Sequence, residues 1–212
     1  MVEALVQELV MRKNELENET IETIYFGGGT PSILSVEQIR NLLDTVYQHY
    51  QVIENPEITL EANPDDLSED KILQLSQTKI NRLSIGIQSF FEEDLQLMNR
   101  AHNTQEAKKC LQTATKYFKN ITLDLIYGMP NMSVDRWQQN IQKALGFYEK
   151  YLTLTDYSIT SRMRHADFLI LAKDYKALEL EANKMKELDG VNPRILRYLG
   201  YSAYENGNPD AA

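Results

Sequence analysis

From the first residues, apolar side chains recur at helical steps. Val2, Leu5, Val6, Leu9, Val10 and Leu16 mark one face of a helix, and the stripe fades in the polar stretch Asn14 to Thr20. A β-branched and aromatic run, Thr23-Ile24-Tyr25-Phe26, then predicts a strand that ends in Gly27-Gly28-Gly29-Thr30-Pro31. Ser35, with Gln38 three residues on, has the spacing of a capping box and opens a second helix. Its apolar stripe is Val36, Ile39, Leu42, Leu43, Val46, Tyr47 and Tyr50.

The unit then repeats. Ile58-Thr59-Leu60 reads as a strand ending at Glu61-Ala62-Asn63-Pro64, and Ser68 leads into a helix carrying Ile72, Leu73 and Leu75. A third strand, Arg82 to Ile87, ends at Gln88 and precedes helical stretches from Glu92 to Met98 and from Thr104 to Phe118. A fourth, Ile121 to Ile126, is closed by Gly128-Met129-Pro130 before a helix from Ser133 to about Leu145. Short apolar strands alternating with amphipathic helices predict an α/β fold, with parallel strands joined by helical crossovers.

Beyond Leu145 the rhythm changes. No strand run is found from Phe147 to Ala212, and two helical stretches align 34 residues apart. His165-Ala166-Asp167-Phe168-Leu169 matches Leu199-Gly200-Tyr201-Ser202-Ala203. Lys173-Asp174-Tyr175-Lys176-Ala177 matches Gly207-Asn208-Pro209-Asp210-Ala211. That period is the spacing of helix-turn-helix repeats, and the segment resembles tetratricopeptide repeats. The chain therefore divides, on its sequence, into residues 1–146 and an all-α tail over 147–212. Both parts read as pieces of longer proteins joined near residue 147, and a natural fusion, a misassembled gene and a chimera would look alike.

Composition narrows the partners. With 212 residues, 42% of them hydrophobic, the chain can bury a real core. A net charge of -9 disfavours nucleic acid, whose phosphates require clustered Lys and Arg. No apolar run approaches the roughly 18 residues of a membrane span, and the acidic N-terminus lacks the form of a secretion signal. A cytoplasmic protein is expected. One cysteine allows neither an internal disulfide nor a cysteine-built metal site.

In a parallel sheet, ligands bind where strand C-termini lead into helices. Here those ends carry Gly27 to Thr30, Glu61 and Gln88, with Asp124 inside the fourth strand. Glycines without a Cβ let a ligand lie against the backbone. Glu61 and Asp124 can accept hydrogen bonds from sugar hydroxyls or an ammonium group, and Gln88 can both donate and accept. Arg100 offers a planar fork for a carboxylate. Together they suit a zwitterionic ligand carrying a ribose.

Five motifs occur in order: Tyr25-Phe-Gly-Gly-Gly-Thr-Pro-Ser, Glu61-Ala-Asn-Pro, Asn81-Arg-Leu-Ser-Ile-Gly-Ile-Gln-Ser-Phe, Asn99-Arg-Ala-His and Asp124-Leu-Ile-Tyr-Gly-Met-Pro. They resemble the radical S-adenosylmethionine (SAM) family of oxygen-independent coproporphyrinogen III oxidase, most of all its haem-chaperone branch, HemW. The likeness covers residues 1 to 146. It implies a partial, TIM-like β/α barrel of about four strands that binds SAM and a four-iron-four-sulfur cluster, with haem as cargo. By that resemblance Gly28, Gly29 and Thr30 hold the methionyl end of SAM, while Glu61, Gln88, Arg100 and Asp124 line the rest of its pocket.

The resemblance also has a gap. The family's cluster is held by a CxxxCxxC loop, and no such motif occurs in these residues. Cys110, between Ala107 and Ala114 on an apolar helix side, is expected to be a buried small hydrophobe. Radical chemistry is not expected from these residues alone. His102, in the family's Arg-x-His pattern, is a candidate for the pocket border, and Trp137 with Ile141 and Leu145 is expected in the core. An alternative function is a protein-interaction module, with the tail binding a peptide or protein partner and the β/α part an inert scaffold.

Overall fold

The computed structural model describes residues 1–16, 19–154 and 158–208, with the backbone alone over 151–154. The chain forms two compact units, Met1–Ile126 and Tyr127–Ala212.

In the first unit four parallel strands lie in the order of the sequence. They are β1 (Ile21–Phe26), β2 (Val52–Ala62), β3 (Arg82–Gln88) and β4 (Asn120–Leu125). Helices α1 (Val2–Met11), α2 (Val36–His49), α3 (Glu69–Ser76), α4 (Glu92–Leu97) and α5 (Thr104–Tyr117) precede and connect them. The helix starts follow local chemistry. Ser35 and Gln38 form the predicted capping box, Ser68 accepts from the Lys71 N–H, and Asn103 with Glu106 makes a second box at α5.

Strand β2 runs well beyond the predicted Ile58–Leu60. Ile21 pairs with Val52, but Thr23 already pairs with Glu57, so β2 bulges over the intervening residues. Pro56 sits in that irregularity, where its missing N–H interrupts no ladder bond. Asn55-Pro56 therefore ends the hydrophobic run without ending the strand.

The two faces of the sheet differ in chemistry because side chains alternate along each strand. Ile58 and Leu60 of β2 and Leu83, Ile85 and Ile87 of β3 are almost wholly buried. They make the core with the inner stripes of the helices, among them Ile39 and Leu43, Ile72 and Leu75, and Leu111 and Ala114. The opposite face carries Tyr25, Thr59, Glu61, Arg82, Ser84, Gly86, Thr122 and Asp124. Helix α1 is looser: none of its residues is buried, and Tyr50 ties it to α2 by donating to the Leu9 carbonyl at 2.7 Å.

The second unit holds α6 (Val134–Leu154), α7 (Ile159–Ala172), α8 (Tyr175–Leu188) and α9 (Pro193–Glu205). Its core is Leu145, Ala166, Leu169, Leu178, Ala182, Met185, Ile195 and Tyr198. The junction expected at 146/147 falls inside α6, which continues through Gly146, and the compact units separate 20 residues earlier. A lone helical glycine costs only about 1 kcal/mol, less than packing on both sides supplies. Helices α7 and α9 start 34 residues apart with α8 between them, while Pro209 to Ala211 of the second aligned stretch lie outside the described residues. Trp137 is half-buried, its ring 5.8 Å from that of Tyr127, whereas Ile141 and Leu145 are buried as expected.

Candidate functional site

Register determines which polar side chains meet. Tyr25 pairs with Thr59, Thr59 with Arg82 and Arg82 with Asn120. One step toward the strand ends, Glu61 pairs with Ser84 and Ser84 with Thr122. Arg82 ties the two rows together, donating to Glu57 at 3.1 Å, Thr59 at 3.3 Å and Thr122 at 2.8 Å. Above it a cleft of about 160 Å³ opens among Gly29, Thr30, Glu61, Asn63, Ser84, Gly86, Gln88 and Asp124. Whole small-molecule sites occupy roughly 300–1,000 Å³, so this cleft has room for only part of such a ligand.

The backbone is shaped for close approach. Gly28 and Gly29 have φ of 79° and 62°, with open space where a Cβ would stand. Gln88, at φ 64°, adopts the same left-handed region without being glycine, a conformation that costs roughly 1–2 kcal/mol and turns its amide onto the site. Its carbonyl is held by the Ile126 N–H at 2.9 Å.

Each acidic group is partly engaged. Glu61 accepts from the Tyr25 hydroxyl at 2.7 Å and from the Gly28 N–H at 3.3 Å. Asp124 accepts from Ser84 at 3.2 Å. Burial of its inner side pushes the Asp124 carboxyl up from its ordinary range, and the Glu61 charge adds to this while the Ser84 bond opposes it. The hydrogen bond to Glu61 likewise raises the Tyr25 hydroxyl.

A buried hydroxyl joins the loops beneath the cleft. Ser32, fully buried, donates to Asp66 at 2.5 Å and accepts from the Asn63 N–H at 3.2 Å, and Lys71 donates to its carbonyl. Arg100 stands one residue back, donating to the Asn63 side chain at 2.6 Å. A Cβ on Gly86 would lie 2.6 Å from the Gln88 amide nitrogen and 3.4 Å from Arg100. Glycine is required there for both to approach.

Of the residues singled out in the sequence, Gly29, Thr30, Glu61, Gln88 and Asp124 line the cleft, Gly28 borders it through Glu61, and Arg100 joins through Asn63. Tyr25, Ser32, Asn63, Ser84 and Gly86 were missed. The pattern Arg82-x-Ser84-x-Gly86-x-Gln88 could have revealed two of them, because period two places all four on one strand face. His102 lies elsewhere: it is buried, its Nε2 3.2 Å from the Ile87 carbonyl and its Nδ1 3.5 Å from Asp65. His102 is therefore held against the β3 main chain and does not line the cleft.

Cys110 is 4% exposed, and burial pushes its thiol up to about 12. A larger hollow of about 450 Å³ lies among α1, α2 and the start of β1, lined by Leu5, Leu9, Ile21 and Tyr50. Its wall is mostly apolar, and its charged groups Glu8, Arg12 and Glu15 are engaged with one another. No group of three metal-ligating side chains occurs among the described residues, and no described helix is long and apolar enough to cross a membrane.

A sequence profile of the Radical SAM superfamily matches residues 2–144. The heme chaperone HemW of Lactococcus lactis is 30% identical over 213 residues, covering 98% of this chain and 54% of the relative. HemW of Buchnera aphidicola is 35% identical over 204 residues, covering 96% of this chain and 52% of its own length. Coproporphyrinogen III oxidase HemN of Escherichia coli, a radical SAM enzyme, superposes with a TM-score of 0.63 at 29% identity. That match covers 68% of this chain and 34% of HemN. The chain thus spans about half the length of the HemW relatives it matches.

Proposed function

The chain belongs to the radical SAM superfamily, and from that premise we propose that its strand-end cleft binds SAM in a HemW-like, haem-handling protein. The observation that carries this is the convergence of Glu61, Gln88 and Asp124 with the left-handed Gly29 in one cleft, bordered by the left-handed Gly28. Two carboxylates and a glycine-floored backbone suit a ligand with an ammonium group, a sulfonium and ribose hydroxyls. In this reading the open backbone at Gly28, Gly29 and Thr30 receives the methionyl end. Glu61 and Asp124 hold the cationic and hydroxyl groups, Gln88 bridges them, and Arg100 fixes Asn63 at the wall.

The same residues do not fit an iron–sulfur cluster. Three thiolates are needed, and these residues contain one cysteine, buried and far from thiolate character. The contribution of this chain's own groups is to bind SAM, orient it and set the charge around it. Haem is the proposed cargo, supported by the likeness to HemW chaperones.

Calorimetry with SAM, on this chain and on a Glu61→Ala, Asp124→Ala variant, tests the proposal. Binding by the parent and its loss in the variant is the expected result. Absence of binding by both would show an inherited shape without function.

A second reading, the tail as a site for a peptide or protein partner, is favoured by the 34-residue recurrence of helix starts. It predicts that Tyr201→Ala and Tyr204→Ala, both on exposed positions of α9, abolish partner capture and leave SAM affinity unchanged.

A further inference from the structure

We propose that Tyr25, seated on Gly27, is a positioning residue that holds the Glu61 carboxylate toward the cleft. The inference rests on the SAM reading for its ligand, though not for the contact itself. Tyr25 lies opposite Thr59 in the parallel β1–β2 register, so Glu61, two residues on, shares its sheet face. The hydroxyl donates to Glu61 Oε1 at 2.7 Å, while the Gly28 N–H donates to Oε2 at 3.3 Å. A carboxylate oxygen has two lone-pair directions. Each oxygen therefore keeps one for a ligand while the chain holds the other.

Gly27 makes the contact possible. A Cβ there would stand 2.7 Å from Tyr25 Cε1 and 3.3 Å from Glu61 Cδ. Gly28 and Gly29, by contrast, face open space. The three glycines thus divide their work: the first seats the tyrosine ring, and the next two leave room for the ligand.

Tyr25 is 55% exposed, so it contributes little to the core. A glutamate at a cleft mouth has rotamers to lose when a ligand binds. A tyrosine, with two side-chain torsions, can restrain it at low entropic cost.

The test uses the whole chain with Tyr25→Phe, which keeps the ring and removes the donor, and Gly27→Ala, which displaces the ring. Loss of one charge-assisted hydrogen bond predicts SAM binding weakened about tenfold in each. Independently of SAM, 13C NMR of labelled tyrosines should show Tyr25 ionising above ordinary tyrosine and returning toward it in Glu61→Ala. Full SAM affinity in Tyr25→Phe, alongside its loss in Glu61→Ala, would overturn the proposal and leave the SAM site standing. If the parent chain binds no SAM, the SAM reading fails and the titration decides: Tyr25 unchanged in Glu61→Ala sinks the positioning role, and a fall supports it.

Discussion

The two units handle polar groups in opposite ways. In the β/α unit, period-two alternation gathers Tyr25, Glu61, Ser84, Gln88 and Asp124 on one sheet face, where the strand ends turn them toward an open cleft. In the helical unit, acidic groups are paired with donors from a neighbouring helix, although both ring nitrogens of buried His165 lack a hydrogen bond among the described residues. Glu181, 5% exposed, accepts from Arg162 at 2.5 Å and lies 3.8 Å from His165, while Tyr198 donates to Asp167 at 2.5 Å. Groups that satisfy one another hold helices in register, whereas groups with free lone pairs at a cleft can accept bonds from a ligand. Buried polarity alone therefore does not identify a site; polar groups with free bonding capacity that converge on an open cleft do.

The largest expected effect would break this contrast if it failed. Glu181→Ala removes the acidic partner of a mostly buried guanidinium and should cost about 3 kcal/mol in urea denaturation. Glu61→Ala, at the half-open cleft, should change stability by less than about 1 kcal/mol while abolishing SAM binding. Equal stability losses would mean that the cleft is a structural polar network too. Next, Gln88→Gly relieves the left-handed backbone and should stabilise the chain by about 1 kcal/mol, yet weaken SAM binding because the amide is lost. That opposite movement is the signature of strain held for function.

These two residues differ in how visible they are from sequence. Gln88 ends a predicted strand, so its position is visible from local pattern, although its left-handed turn is not. Glu181 reads as an ordinary helical glutamate, and its burial depends on α7 supplying Arg162 and His165 from across the seam. Of the site, the strand-end residues and the Arg-Ser-Gly-Gln alternation were legible because strand geometry is local. Asn63 and Ser32 were not, because their roles come from loops more than 30 residues apart meeting over one buried hydroxyl.

A smaller effect is expected from Gly86→Ala. The new methyl must displace the end of the Gln88 side chain, a flexible group, so stability should fall by less than about 1 kcal/mol while SAM affinity drops measurably. The smallest is a pH effect in the helical unit. Burial lowers the His165 pKa below its ordinary 6.5, opposed by Glu181 and Glu149. The unfolded chain then takes up the proton first as pH falls. Stability is full above about pH 6.5 and declines below it toward the depressed folded value. Urea midpoints at pH 7.5 and 5.5 should differ in the parent and converge in His165→Gln; a difference that persists in the variant would place the acid sensitivity elsewhere.

By itself the sequence determined the order of strands and helices, the caps at Ser35 and Ser68, the apolar sheet face and the acids at the strand ends. All of these depend on periodicity or on neighbours within a few residues. Only the tertiary structure decided that Arg100 grips Asn63, that His102 packs away from the cleft, that α6 runs unbroken past Gly146 and that Gly27 seats Tyr25. Each of those depends on which distant groups compete for one donor, one acceptor or one volume. A linear pattern states what a residue can do, and the packed neighbours select which of those things it does.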